Sequence, residues 1–378
     1  FDGLHEFIPF NTARAVHTNL LVVWLLSGFM GAAYYIIPEE AQRELVSVKL
    51  AYVQLISLAV VGVAAIIGYH FNWWEGRKTT TALVLTMGLL FAALLYIPGM
   101  LPFDSQVTDS FFRWWVVHLW VEGVWELIMG GILSFLLIKL TGVDREVIEK
   151  WLYVIVGLTF LSGILGTGHH YYYIGVNKIW LIVGGIFSAL EPLAFLAMAL
   201  FAVNMYRKGE KKHPNKIALF WTLGSAIVSF VGAGLLGFAH TLPQTNLYTH
   251  GTLVTAMHGH LAFWGAYAMI VLAIISYALP NMTGRKLYDS SVGRAAFWLS
   301  NIGMLGMTVA FGVAGVAQVY LERKFKMDFM EVQAEISIHF VVLILCATMF
   351  ATGIVMYIWD FYKHGKPTDE ALDLESDL

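Results

Sequence analysis

Two histidines, His258 and His260, are separated by one glycine inside the apolar run from Gly251 to Pro280. On a helix of 3.6 residues per turn this spacing points the two imidazoles roughly 200° apart, so they cannot easily share one metal and must address different neighbours. Imidazole is the commonest metal-ligating side chain, and in lipid it is costly unless paired, hydrogen-bonded or coordinated. On this stretch alone two readings stay open. Either the rings are ligands, or one caps the helix while the other bonds a neighbouring carbonyl.

A second set carries a carboxylate. His118 and Glu122 lie four residues apart, which places them on one helix face and suits two ligands of one metal; a His–Glu pair bonded only to itself is the alternative. Another run closes on Gly166-Thr167-Gly168-His169-His170, a position that also suits interfacial histidines. Three imidazoles and one carboxylate at similar depth suit non-haem iron or copper better than magnesium or calcium. Two further acids stand in apolar surroundings: Glu126, one turn beyond Glu122, and Glu191, directly before Pro192. Each suits a proton donor or relay, or an acid bonded to a carbonyl. His17 opens the first apolar run, whereas His5, His70, His213, His250 and His364 fall in loops or chain ends, with His240 and His339 at span ends.

The elements that position these residues are membrane helices. Of 378 residues 58% are apolar or aromatic and only 13% charged, with a mean hydropathy of +0.68, whereas a soluble domain is about 25% charged. Ten runs are long enough to span a bilayer: 16–37, 48–69, 79–98, 114–139, 149–168, 177–205, 216–239, 252–279, 293–320 and 335–361. Without period-two alternation they are helices rather than barrel strands, so the expected fold is an all-α, polytopic transmembrane bundle forming one domain over 1–378. Lys and Arg gather around 77–78, 139–150, 207–216 and 285–286. Those loops are expected on the cytoplasmic side, which puts the His and Glu set near the outer face. A net charge of −3 with no basic arm excludes nucleic acid as a partner. The lone cysteine, Cys346, excludes disulfides and any CxxC or CxxCH site, so a metal must be held by His and carboxylate. Intramembrane Glu and His would also serve a proton-coupled transporter.

Taken together, Trp114 through Glu126, Gly166-Thr167-Gly168-His169-His170-Tyr171, Phe187-Ser188-Ala189-Leu190-Glu191-Pro192 and His258-Gly259-His260 resemble the catalytic cytochrome b subunits of bacterial cytochrome c-dependent nitric oxide reductases, in the haem–copper oxidase superfamily. The resemblance runs over nearly the whole chain. It implies His17 and His260 as axial ligands of a low-spin haem b and His258 as the proximal ligand of a high-spin haem b. His118, His169, His170 and Glu122 would hold non-haem iron, with Glu191 beside the site as a hydrogen-bonding and proton-handling acid. With Glu126, singled out by its place on the Glu122 face, Glu122 and Glu191 are the candidate catalytic residues. Two NO molecules, two electrons and two protons would give nitrous oxide and water. It also implies a small membrane-anchored cytochrome c subunit on the outer face, a bacterial inner-membrane location with the metals toward the periplasm, and a calcium ion bridging the haem propionates, for which no residue here is assigned. An oxygen reductase with copper at the His118 site is the nearest alternative within the superfamily.

Two departures from that pattern stand out. About twelve spans are expected and ten are visible. The chain begins at Phe1 without Met, so one span is expected before it. The other gap follows from orientation: with run 48–69 leading straight into the cytoplasmic 75–78 loop, His17 and His260 would lie at opposite faces. An odd number of spans is therefore expected to be absent between about Tyr69 and Trp74.

Overall fold

In the computed structural model the structure describes residues 10–43, 49, 79–209, 213–283 and 289–363. Among them every regular element is helical: α1 (Phe10–Ala41), α2 (Thr80–Met100), α3 (Gln106–Thr141), α4 (Arg145–Gly166), α5 (Ile179–Ser188), α6 (Glu191–Lys208), α7 (Lys216–Thr241), α8 (Pro243–Thr249), α9 (Leu253–Thr283), α10 (Ser291–Lys324), α11 (Phe329–Glu335) and α12 (Ser337–Lys363). Nine helical stretches are long and apolar enough to cross a membrane, α5 and α6 together making one. The tenth apolar run, 48–69, and the junction at Tyr69–Trp74 lie outside the described residues.

Helix starts follow local chemistry. Thr79, Ser105, Asp144, Asn215, Thr252 and Ser290 each accept a hydrogen bond from an otherwise unpaired N–H of the first turn. The helix α3 ends at Gly142, whose φ of 66° is the left-handed conformation that closes helices. In the most apolar window of α9 89% of residues are buried, against 17% in α12, so α9 is central and α12 faces the lipid. The core is continuous, with Phe29, Trp125, Phe135, Trp221 and Tyr267 among its large buried side chains.

Polar clasps tie together the helix ends that carry the Lys and Arg loops. Lys139 pairs with Glu39 at 2.8 Å, Arg145 with Glu40 and with Glu149, and the Thr80 hydroxyl donates to Glu149 at 3.0 Å. The end of α1 and the start of α2 therefore lie at the same end of the bundle. His17, His118, His169 and His260 are all carried toward the opposite end, since α1 and α3 reach the clasped end at Glu39 and Lys139 and α4 leaves it at Arg145.

Four turns of the long helices are π-helical, at 120–124, 230–235, 263–268 and 320–324. In each, the N–H that would reach four residues back in an α-helix reaches five: Trp125 to Trp120, Leu236 to Val231, Met269 to Trp264, Phe325 to Tyr320. The carbonyls deprived of that α-register partner are Val121, Gly232, Gly265 and Leu321. All four accept from elsewhere, respectively from the Tyr267 hydroxyl, His258 Nδ1, the Ser225 hydroxyl at 2.7 Å and the Met327 N–H at 3.0 Å. Such bulges concentrate at functional sites.

Candidate metal centre

His118 and Glu122 project from α3, and His169 and His170 from the 3₁₀ turn Thr167–His170 that closes α4. One ligand atom from each of the four lies within 4.8 Å of every other. The sequence spacing anticipated this cluster, but not the π turn through Glu122. That turn is held close to α4, because the Glu122 carbonyl packs against Gly163, where any Cβ would collide with it.

Hydrogen bonds fix which ring nitrogens face inward. His118 Nε2 must carry a proton, since it donates to the Gly163 carbonyl at 2.6 Å. Its Nδ1, fully buried and without a hydrogen bond, then presents a lone pair to Glu122 Oε2 at 3.2 Å. That separation is within ion-pair range, yet two acceptors facing each other do not attract. Leaving such a buried acceptor unmet costs about 1–3 kcal/mol. His169 Nδ1 donates at 2.7 Å to the Ser188 hydroxyl, which donates onward to the Gly166 carbonyl at 3.3 Å. His169 Nε2 therefore also offers a lone pair, and it lies 2.9 Å from His170 Nε2. Without a cation His170 must spend its proton on that contact; with one, both rings donate. The His170 ring is stacked on Trp114 at 4.6 Å. Glu122 Oε1 lies 3.7 Å from His169 Nε2 and 3.9 Å from His170 Nε2. The donor set thus fits one metal ion bound by three imidazoles and a carboxylate, each imidazole with its outer hydrogen bond or stack already made.

The two acids singled out alongside are close but differently held. Glu126 is buried and accepts from the Thr159 hydroxyl at 3.1 Å. Glu191 sits midway along its span Ile179–Lys208, as its apolar surroundings suggested, but at a break in the helix. It begins α6 after a break at Ala189–Leu190, with Pro192 in the first turn, and its Oε1, buried and without a hydrogen bond, is 3.8 Å from His169 Nδ1. Just beyond the spans the Tyr172 hydroxyl donates to the Thr241 carbonyl at 3.1 Å, and burial, aided by Glu191, raises its phenol above the usual range.

On α9 the two histidines diverge as their spacing requires. His258 Nδ1 donates at 3.0 Å to the Gly232 carbonyl, released by the π turn of α7, so its Nε2 is free to ligate. His260 Nδ1 donates at 2.8 Å to the Ala256 carbonyl, and its ring faces that of His17 with centroids 6.1 Å apart and planes 27° apart. With metal–nitrogen bonds of about 2 Å, two imidazoles on opposite sides of one ion have centroids about 6 Å apart, which this pair matches. Sequence reading passed over His240, whose two ring nitrogens bond the Thr249 and Thr255 hydroxyls at 3.0 and 3.1 Å, with its ring 6.0 Å from that of His258. Its place at a span end gave no signal of that neighbourhood.

A helical membrane bundle with a three-histidine cluster at one end and two divergent histidines on a central helix defines a class, and the comparisons agree with it. The chain belongs to the family described as cytochrome c and quinol oxidase polypeptide I, whose model matches residues 71–349. It is 44% identical to a nitric oxide reductase subunit from Stutzerimonas stutzeri over 421 residues, covering 97% of this chain and 88% of the relative. That alignment is longer than the chain, so the relative carries residues opposite gaps here. Cytochrome c oxidase subunit 1 of Thermus thermophilus is 25% identical across 62% of this chain and 45% of its own length. That of Corynebacterium diphtheriae is 26% identical across 38% and 24%. Family and cluster together point to haem and metal binding in a multi-pass membrane protein.

Proposed function

We propose that this chain is the subunit that reduces two NO molecules, with two electrons and two protons, to nitrous oxide and water. The observation that carries the reading is Glu122 inside the imidazole cluster: a carboxylate beside three histidines suits a hard ion such as ferric iron and supplies no redox-active side chain. His118 through Nδ1, His169 and His170 through Nε2 and Glu122 would hold the iron, His258 would hold the high-spin haem b, and His17 with His260 the low-spin haem b. When bound, these groups supply stepwise electron delivery and two adjacent Lewis-acid centres for developing negative charge.

The chain's own residues set the conditions. Ser188 and Gly163 fix the tautomers of His169 and His118, so that lone pairs face inward without rearrangement. Glu191, its Oε1 unbonded beside His169, is placed to hand a proton toward the site, and Glu126, oriented by Thr159, to pass one along α3. One cysteine and no CxxCH motif within these 378 residues support electron delivery by a membrane-anchored cytochrome c subunit on the outer face. A cytoplasmic position for the Lys and Arg loops supports a bacterial inner-membrane protein with its metal cluster toward the periplasm. Turnover with NO and with dioxygen, beside metal analysis, tests the reading. NO reduction with one non-haem iron per two haem b is expected, and an enzyme with one copper per two haems that turns over only dioxygen would overturn it.

A further inference from the structure

Of the four released carbonyls, the one belonging to Val121 adjoins the carboxylate of the metal cluster, and its donor is Tyr267. The Tyr267 ring is buried and held edge-on by Trp125 at 5.2 Å, Phe263 at 5.6 Å and Phe29 at 6.1 Å, so its hydroxyl has essentially one place to be. Across the same turn Gly163 packs on the Glu122 carbonyl and accepts from His118. The widened turn is thus clamped between α4 on one side and α9 on the other. In an α-helical register the Trp125 N–H would return to Val121, the turn would narrow, and Glu122 would leave the axis at a different angle.

We infer that Tyr267 is a positioning residue for the metal centre, its hydroxyl holding the Val121 carbonyl and with it the π turn that aims Glu122 at His118, His169 and His170. This rests on those four side chains being the metal ligands. A buried carbonyl with no donor regains one most simply by closing the α-register bond. Tyr267→Phe removes the donor and keeps the ring packing, so its effect falls on the direction of Glu122 rather than on the core. Tyr357→Phe is the matching control, since it removes a buried tyrosine donor from the Leu272 carbonyl at 2.9 Å, in a regular stretch of α9 that carries neither Tyr267 nor a metal-cluster residue.

The experiment compares purified holoenzyme with each variant for non-haem iron per two haem b, the rate of iron loss to a ferrous chelator, and haem content from the reduced-minus-oxidised spectrum. Tyr267→Phe is expected to retain both haems while holding the non-haem iron about 10- to 100-fold more weakly, the usual effect of losing an outer-shell partner. Tyr357→Phe is expected to hold iron as the native enzyme does. Native-like iron retention in Tyr267→Phe would overturn the inference alone. So would loss of iron and haem in step, or an equal loss in Tyr357→Phe, because either would mark a general packing role. Native enzyme with haem but no non-haem metal would overturn the ligand assignment itself, a separate result.

Discussion

His17 and His260 face one another from α1 and α9 with centroids 6.1 Å apart and nearly parallel planes. If one low-spin haem lies between them, each ring contributes half of its axial coordination. His17→Ala is then expected to abolish the low-spin haem signal in electron paramagnetic resonance while the high-spin signal assigned to His258 persists. An unchanged low-spin signal would remove His17 from the ligand set.

Glu122 is the one anionic member of the cluster and lies within 3.9 Å of all three ring nitrogens that face inward. Glu122→Ala leaves three neutral imidazoles, a set better matched to copper or zinc than to iron. Iron affinity is expected to fall by at least the roughly 10- to 100-fold seen for outer-shell losses, with NO reduction falling alongside. Full iron occupancy and full activity would show that Glu122 does not ligate.

The parts legible in the sequence were those written in residue type and long-range hydropathy. Nine of the ten apolar runs are described helices, and two spacings read as expected: His118 lies with Glu122, and His258 and His260 address different neighbours. The π turns were not legible, because inserting one residue into the hydrogen-bond register changes neither composition nor apolar length. Their stabilising donors, such as Tyr267 for Val121, come from distant parts of the chain. The break before Glu191 was hidden by apolar residues on both sides. The true start of α3, eight residues ahead of its apolar run, did leave a signal in the Ser105 cap and the Asp109–Arg113 pair.

Gly237 lies against the His258 ring, and a Cβ there would come within 3.2 Å of His258 Cε1. A methyl group at this distance requires the imidazole to give by a few tenths of an ångström, which disturbs the bond to the Gly232 carbonyl that orients it. Gly237→Ala is expected to shift the iron–histidine stretching frequency of the high-spin haem in resonance Raman spectra and to leave the low-spin haem unchanged. An identical frequency would show that the ring has room to spare.

His213 lies between spans, at the clasped end, where its backbone N–H donates to the Leu140 carbonyl and its Nδ1 accepts from the Asn215 N–H at 3.2 Å. Burial lowers its pKa below the ordinary value near 6.5. The unfolded chain therefore binds a proton here at a higher pH than the folded one, and stability falls as pH drops through about 6.5 toward the folded pKa. In detergent, His213→Gln is expected to lose less melting temperature than the native protein between neutral and mildly acidic pH. Equal losses would show that His213 does not contribute to the acid sensitivity.

The end of α1 and the start of α2 share one face of the bundle, joined through Arg145, which pairs with Glu40, and Glu149, which bonds Thr80. A chain leaving and returning at the same face crosses the membrane an even number of times, or not at all. The sequence between them supplies one run of spanning length, 48–69, which lies outside the described residues; a single crossing there would need a return. We propose that the native chain carries a further segment with an odd number of spans between about Tyr69 and Trp74, in keeping with an alignment to the Stutzerimonas stutzeri relative that outruns the 378 residues. The intact mass of the native subunit is then expected to exceed 42.2 kDa, and peptides that join Tyr69 to Trp74 through only four residues are expected to be absent from its digest. Recovery of such a peptide would sink the proposal and require run 48–69 to re-enter rather than cross.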